Sequence, residues 1–314
     1  MDSKIDLSIS IVNTNNCALL RDCLRSIIEK THRITYEIIV IDNASTDGSL
    51  DMMKNEFPSV KIICNSNRNG YGYSHNKGIE TSKGEYVLIF NEDMLLTDNA
   101  LDNYVDTIKK EHNVGVLGCK LLNPNGTLQH SCFNFMSVKH EYYQAFFPRN
   151  IVFPNSKFRE KYYYWDHDEN KDVDVVMGCC MLIPKRILEE VGNFDTRFFV
   201  YAEEVDLCKR IKNAGYRIVF TPNASIIHYG GQTSKTMSIK MYLVMIESKF
   251  KYFEKHHGYI SLVAVKFATA INATVRIIGW TSFSIFMKNN KEESKQNVKR
   301  YCKALGLIFG FTKP

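Results

Sequence analysis

Along the first half of the chain, short apolar runs alternate with stretches of helical spacing. Leu7 to Val12 is apolar and rich in β-branched residues, which predicts a buried strand. Cys17 to Lys30 carries Leu20, Leu24, Ile27 and Ile28 at helical spacing. Glu37 to Ile41 predicts a second strand, and Ser45 or Thr46 is placed to cap a helix running to about Phe57. Val60 to Cys64 predicts a third strand, Tyr73 to Ser82 a helix ended by Lys83-Gly84, and Glu85 to Phe90 a fourth strand. A further helix is expected from about Asp98 to His112. This β-α-β-α order predicts an α/β fold around a largely parallel sheet.

Ligands in such sheets sit beyond the carboxyl ends of the strands. Those ends read Asn13-Thr14-Asn15-Asn16, Asp42-Asn43, Asn65 to Gly72 and Asn91-Glu92-Asp93. All four are rich in carboxylates, amides or glycine, which either marks a site or reflects the ordinary polarity of loops.

The second half changes pattern. Val114 to Lys120 predicts a strand, followed by the turn Asn123-Pro124-Asn125-Gly126. From Phe133 to Asn170 the chain is irregular and aromatic, with Tyr142, Tyr143, Phe146, Phe147, Tyr162, Tyr163, Tyr164 and Trp165; so long a stretch without periodicity points to function or mobility. Val173 to Ile183 resumes strand character, Glu203 to Ala214 predicts a helix capped by Gly215, and Arg217 to Phe220 and Ser225 to Tyr229 two short strands. After about Thr236 the pattern is helical throughout.

Composition narrows the class. The chain has 314 residues, 45% hydrophobic and 24% charged, the balance of a folded globular protein. A net charge of +6 is mildly basic, short of a nucleic-acid binder, and suits phosphate-bearing ligands or an anionic membrane leaflet. The nine cysteines form no CxxC pair, so free thiols in a reducing compartment are expected rather than zinc or disulfides. Met1 to Asp6 is polar and is not read as a secretory leader, which predicts a cytoplasmic catalytic part.

Several groups can carry chemistry, and each has a plain alternative. Asp42 can accept hydrogen bonds from a nucleobase or ribose, or cap the turn that follows it. Asn91-Glu92-Asp93 can hold Mg²⁺ or Mn²⁺ against a diphosphate, or begin a helix. The loop Asn67-Arg68-Asn69-Gly70-Tyr71-Gly72 leads into a helix and can cover a nucleotide phosphate. It is not a dinucleotide fingerprint, because His75 occupies the third glycine position. Glu203, Glu204 and Asp206 suit the positive end of a helix, with Asp206 one turn from Arg210, yet one of the three can serve as a general base. His228 ends a strand and is either structural or a ligand.

Taken in order, these segments resemble glycosyltransferase family 2, of GT-A fold, in its bacterial rhamnosyltransferase-like branch. The resemblance covers roughly residues 5 to 235. It is carried by Ile41-Asp42-Asn43-Ala44-Ser45-Thr46-Asp47-Gly48-Ser49, Asn67 to Gly72, Phe90-Asn91-Glu92-Asp93, Val191 to Asp195, Phe198 to Cys208, Gly215-Tyr216 and His228. It implies a nucleotide-sugar donor held by Asn13, Asn15, Asp42, Asn67, Arg68, Gly72, Asn76 and Asn91. It implies Mn²⁺ or Mg²⁺ on Asp93 and His228, Glu204 as the base, and Glu203 and Asp206 on the acceptor side; Trp165 is expected there too, because sugar rings stack on aromatic faces. Asn91 departs from the family's Asp-x-Asp pattern, and Glu204 stands where the family often has aspartate. The implied reaction is one displacement with inversion at the anomeric carbon, with no covalent nucleophile. dTDP-rhamnose is the favoured donor and UDP-hexoses are the alternative; the acceptor is expected to be a lipid-linked saccharide in cell-surface polysaccharide synthesis.

The chain therefore divides into a GT-A domain over 1–235, with the aromatic acceptor-side segment at 133–170, and a helical region over 236–314. Ser261 to Phe286 is mostly apolar but carries Lys266 and Arg276. Each cation costs about 2.5–3.5 kcal/mol at a bilayer centre. An in-plane amphipathic helix on the cytoplasmic face of an anionic membrane is thus expected ahead of packing on the domain, a homo-oligomer contact or a spanning hairpin. Two rival readings stay open. A metal-dependent sugar nucleotidyltransferase would need a basic, glycine-rich loop that Asn13 to Cys17 does not supply. A catalytically dead GT-A scaffold would not need Asp42, Asp93, Glu204 and His228 together.

Overall fold

The computed structural model describes residues 4–146, 165–230, 238–286 and 291–313. The chain divides into two compact units: Met1–Phe135, Tyr163–Phe199 and Glu203–Ser234 form the first, and Met136–Tyr162, Val200–Ala202 and Lys235–Pro314 the second.

In the first unit β1 (Leu7–Asn13) is buried along its whole length. A strand buried on both faces needs cover from both sides, and the flanking helices supply it. After it come α1 (Cys17–Lys30), β2 (Tyr36–Asn43), α2 (Ser49–Glu56), β3 (Lys61–Asn65), α3 (Tyr71–Thr81) and β4 (Tyr86–Asn91). α1 turns Leu20, Cys23, Leu24 and Ile27 onto the sheet, where they join Leu7, Ile9 and Ile11 of β1 in one core. Ile79 of α3 belongs to a second core with Val87 and Ile89 of β4. β1 pairs in parallel with β2 and β4, and β2 with β3. The register sets Asn13 beside Asp42 and Asn43 beside Asn65, so the polar strand ends line up.

The chain continues through β5 (Met94–Leu96), α4 (Ala100–Lys110), β6 (Val114–Leu122), β7 (Leu128–Gln129), β8 (Cys132–Phe133) and α5 (Val138–Phe146). Then follow β9 (Lys171–Asp172), β10 (Val175–Val176), β11 (Cys180–Pro184), α6 (Lys185–Val191), α7 (Glu203–Asn213) and β12 (Arg217–His228). The main sheet has ten strands in the order β3-β2-β1-β4-β11-β6-β12-β5, with β7 on β6 and β9 on β12. It is mostly parallel where the β-α alternation rules, but β11 runs antiparallel to both β4 and β6.

Two local departures from the sequence pattern matter for the site. The apolar run Val173 to Ile183 is not one strand: Met177-Gly178-Cys179 breaks it between β10 and β11. Arg217 to His228 is one strand rather than two, with a register shift between Thr221 and Ser225. Pro222 lies inside that shift, where a residue without an N–H is tolerated.

The second unit is helical. α8 (Ile239–Phe286) is interrupted at Gly258, whose φ of 78° takes it out of helical geometry. α9 (Lys291–Ile308) and α5 pack against α8, and Lys249 pairs with Glu141 at 2.7 Å. Beyond the break, Tyr259, Ile260, Val263, Phe267, Val275 and Ile278 are exposed apolar side chains. Among the described residues α8 is the one helix long and apolar enough to cross a membrane, by length and composition only.

Candidate active site

The carboxyl ends of β1 and β2 are tied into one polar cluster. Asp42 is 1% exposed. Its two oxygens accept from Asn13 Nδ2 (2.9 Å) and from the Ser45 backbone N–H (2.9 Å). Asn13 Nδ2 also reaches Ser45 Oγ at 3.0 Å, and Asn15 Oδ1 accepts from the Thr46 backbone at 2.7 Å. Asn15 and Ala44 both hold left-handed φ values of 54°, an unusual backbone for residues with side chains. The network fixes both loops, which identifies Asp42 as the organiser of its own turn. Among the described residues Asn13 Oδ1 is a buried oxygen left without a partner.

The α3 loop differs from the expectation of a phosphate cradle. The Tyr71 backbone N–H donates to Phe199 O at 2.8 Å. A Cβ on Gly70 would lie 2.6 Å from Phe199 O, and one on Gly72 would lie 2.8 Å from Phe194 Cβ. Both glycines therefore permit close packing of α3 on the 194–199 loop. Asn76 is committed there too: Nδ2 donates to Phe194 O (2.8 Å) and Oδ1 accepts from Phe194 N (3.0 Å). Gly72 and Asn76, expected on the donor side, are framework residues. Asn67 and Arg68 are exposed and unencumbered by that packing.

Tyr71 is a site residue that the sequence reading missed. Its hydroxyl lies 3.0 Å from Asn91 Oδ1 and 2.9 Å from Gly178 O. Burial holds it protonated, and the negative charge of Cys179, Glu203, Glu204 and Glu92 acts the same way. Tyr71 belongs to the loop expected to cover a nucleotide, but spacing alone assigns no role to its hydroxyl.

Asp93 and His228 are brought together by strand pairing. β12 runs antiparallel to β5 with His228 opposite Met94, and the Tyr229 N–H donates to Asp93 O at 2.9 Å. His228 Nε2 stands 3.3 Å from Asp93 Oδ1, yet the alignment is not that of a hydrogen bond, and Asp93 Oδ1 is a buried atom without a hydrogen-bond partner. A carboxylate oxygen and an imidazole nitrogen facing one another in this way fit a shared cation. Among the described residues no group of three or more His, Cys, Asp and Glu side chains forms. An ion held by two protein side chains alone would have to take its other ligands from phosphate and water. Next to them, Glu92 accepts from Asn16 Nδ2 at 2.6 Å, and burial, with the charge of Asp93, pushes its pKa up to about 7.

α7 carries the remaining carboxylates, and they separate cleanly. Asp206 is fully buried and bonds Arg210 Nε at 2.9 Å. Arg210 in turn donates to the carbonyls of Val191, Gly192 and Asn193. Asp206 thus anchors a loop clamp and has no face for an acceptor, contrary to its expected acceptor-side place. Glu203 is 4% exposed, and its Oε2 has no hydrogen-bond partner among the described residues. Glu204 is half-buried and lies over Gly178, where a Cβ would come 3.3 Å from Glu204 Cβ. Burial raises the pKa of both, and the charge of Glu204 adds to the rise at Glu203. Cys179, whose thiol burial holds protonated, also feels the negative charge of both Asp93 and Glu204.

Trp165 is not an open platform. It stacks on His167 at 3.8 Å and 9° and meets Phe220 edge-on at 5.3 Å. It is joined to the second core rather than presented to a sugar. Phe147, Tyr162, Tyr163 and Tyr164 of the aromatic segment lie outside the described residues. A separate cavity of 540 Å³, lined by Lys4, Glu85, Lys109 and Arg186, sits where β4 and β6 begin, at the opposite ends of the strands from these groups.

The family described as glycosyltransferase-like family 2 matches residues 6–242. An N-acetylglucosaminyl-diphospho-decaprenol L-rhamnosyltransferase of Mycobacterium tuberculosis is 26% identical over 207 residues, 61% of this chain and 66% of the relative. The rhamnosyltransferase WbbL of Escherichia coli K12 is 23% identical over 229 residues, covering 70% of this chain and 83% of that protein. Among solved structures, a mannosyltransferase of Pyrobaculum calidifontis in complex with GDP-Man and Mn²⁺ superposes with a TM-score of 0.57 at 15% identity, covering 99% of this chain and 88% of that one. The structure of GalNAc-T7 with UDP, GalNAc and Mn²⁺ gives a TM-score of 0.55 at 17% identity, covering 81% of this chain and 50% of that one. These likenesses establish the GT-A fold.

Proposed function

The chain belongs to glycosyltransferase family 2, in its rhamnosyltransferase-like branch, and from that premise we propose that it is an inverting, metal-dependent glycosyltransferase acting on a nucleoside-diphosphate sugar. dTDP-rhamnose is the favoured donor and a lipid-linked saccharide the acceptor. The observation that carries this reading is the facing pair Asp93 Oδ1 and His228 Nε2, 3.3 Å apart at the strand ends.

Asp93 and His228 would hold the cation. When bound, a divalent ion supplies charge neutralisation for the departing nucleoside diphosphate. The Asn13–Asp42–Ser45 network holds the loops that receive the nucleoside, and Arg68 offers an exposed cation towards phosphate. Glu204 takes the proton of the acceptor hydroxyl. The acceptor oxygen forms its bond to the anomeric carbon as the bond from that carbon to the diphosphate oxygen breaks on the other face. A raised carboxylate pKa suits a base working near neutral pH. Glu204 is favoured over Glu203 because it retains exposed surface, and over Asp206 because Asp206 is paired with Arg210.

The exposed apolar face of α8 beyond Gly258, with Lys and Arg interspersed, supports seating on the cytoplasmic face of an anionic membrane, where a lipid-linked acceptor resides. Thermal-shift measurements against a panel of nucleotide sugars, with and without Mn²⁺, test the donor assignment. Stabilisation by dTDP-rhamnose that requires the metal is expected; indifference to every nucleotide sugar would remove the reading.

A further inference from the structure

The site rests on which nitrogen of His228 carries the proton, and a chain of hydrogen bonds answers that from a fixed point. The Leu128 carbonyl can only accept. It takes a hydrogen bond from Asn123 Nδ2 at 3.3 Å, and Thr127 Oγ1 takes another from the same nitrogen at 2.9 Å. That orients the Asn123 amide, so its Oδ1 is the acceptor presented to Gln129, whose Nε2 donates to it at 3.2 Å. The Gln129 amide is thereby oriented in turn, with Oε1 towards His228. Oε1 lies 2.6 Å from His228 Nδ1. An amide oxygen cannot donate, so Nδ1 must carry the hydrogen. In the neutral ring the lone pair is then on Nε2, the nitrogen 3.3 Å from the orphaned Asp93 Oδ1. Two lone pairs facing one another repel, and a cation between them removes the repulsion. Gly230 covers the other side of the ring: a Cβ there would overlap the imidazole.

We infer that Gln129 is the positioning residue of the cation site, holding His228 in the Nδ1–H tautomer with Nε2 free to ligate. This rests on the proposed cation at Asp93 and His228, and it extends the site to the β6–β7 hairpin. Gln129 lies opposite Leu121 of β6, and Leu121 in turn pairs with Ile226 of β12, two residues before His228. The hairpin turn from Asn123 to Thr127 thus acts on metal affinity without touching the metal. Partners of this kind orient a ligating imidazole, and their loss typically weakens metal binding by about 10–100-fold.

The test uses the full chain with ¹⁵N-labelled histidine, the His228 signals being identified by their loss in His228→Gln. In metal-free protein at pH 8 the His228 shifts should report the Nδ1–H tautomer. Gln129→Leu should convert the ring towards Nε2–H, now drawn to Asp93, and weaken Mn²⁺ binding about 10–100-fold by calorimetry. Gln129→Glu keeps an acceptor for Nδ1–H and should retain both the tautomer and an Mn²⁺ affinity within a few-fold of wild type. This guards against reading a folding defect as a positioning effect. An Nε2–H tautomer in wild type, or an unmoved tautomer in Gln129→Leu, overturns the assignment. The cation reading is tested separately by Asp93→Ala: if that variant binds Mn²⁺ as wild type does while Gln129→Leu still shifts the tautomer, the cation lies elsewhere and Gln129 only orders the ring.

Discussion

His228 Nε2 faces Asp93 Oδ1 at 3.3 Å because β12 and β5 pair in a register that sets His228 opposite Met94. The two proposed ligands come from chain positions 135 residues apart, and the sheet, not a local motif, joins them. Asp93→Ala should abolish the metal-dependent part of nucleoside-diphosphate binding, and His228→Ala should weaken it. Calorimetry with and without Mn²⁺ measures both; unchanged metal dependence in Asp93→Ala would show that the diphosphate is neutralised by other groups.

Glu204 and Glu203 share a helix turn, and only Glu204 is proposed as the base. Glu204→Gln should lose about 10²–10⁴-fold in kcat with donor affinity kept, as expected of a positioned base. Glu203→Gln should lose less. The pH dependence has a definite sign. A base must be unprotonated to act, and burial raises the Glu204 pKa. Turnover should therefore fall as pH drops through a value above the ordinary carboxylate range, and Glu204→Gln should lack that limb. A profile flat down to the ordinary range would place the base elsewhere.

Gly72 and Asn76 should affect folding rather than the donor. The Asn76 amide closes a reciprocal, partly buried pair with the Phe194 backbone, and leaving such backbone groups without a partner costs about 1–3 kcal/mol. Asn76→Ala should lower Tm by several degrees while the folded variant binds donor as wild type does. Trp165→Ala should behave the same way, because its ring packs on His167 and Phe220. A raised acceptor KM with unchanged Tm in Trp165→Ala would return that residue to the acceptor side.

The strand ends were legible because carboxylates and amides after apolar runs can be read directly. Asp93 and His228 stand out in that way, and Glu204 by its place in the first turn of a helix. Three parts were not legible. The break at Gly178 hides inside an apolar run that reads as continuous strand. Gln129 sits on a two-residue strand, too short for any periodicity. Gly72 and Asn76 carry a motif whose purpose is the packing of α3 on the 194–199 loop, and sequence spacing does not distinguish packing from ligand contact.

His75 adds a pH dependence of stability independent of the chemistry. It is fully buried, bonded to Ser10 Oγ at 2.9 Å, and burial lowers its pKa to about 3. Between that value and the unfolded value of about 6.5 the unfolded chain binds a proton that the folded one does not. This contribution is fully present above about pH 6.5 and is lost as pH falls towards 3, on the order of 4–5 kcal/mol in all. Denaturant midpoints at pH 7 and pH 4.5 should converge in His75→Gln relative to wild type; parallel losses in the two proteins would assign the acid sensitivity to other groups.

The proposed membrane seating would use the apolar face beyond Gly258. Replacing Tyr259, Ile260 and Phe267 by serine in the full chain should leave Tm nearly unchanged, because these side chains are exposed. It should also release the protein from anionic vesicles in a sedimentation assay. Equal sedimentation of both proteins would mean that this face is covered by something other than lipid.

The central claim is transfer from a nucleotide sugar with Glu204 as base and a cation on Asp93 and His228. Its most direct measurement is release of nucleoside diphosphate from dTDP-rhamnose, with UDP-hexoses alongside, by purified wild-type, Asp93→Ala and Glu204→Gln proteins, with Mn²⁺ or with chelator. Wild type should release it with metal and not with chelator, and Asp93→Ala should not release it in either. Glu204→Gln should bind donor but release at least about 10²-fold less. Release that persists in chelator, or at the wild-type rate in Glu204→Gln, would overturn the mechanism.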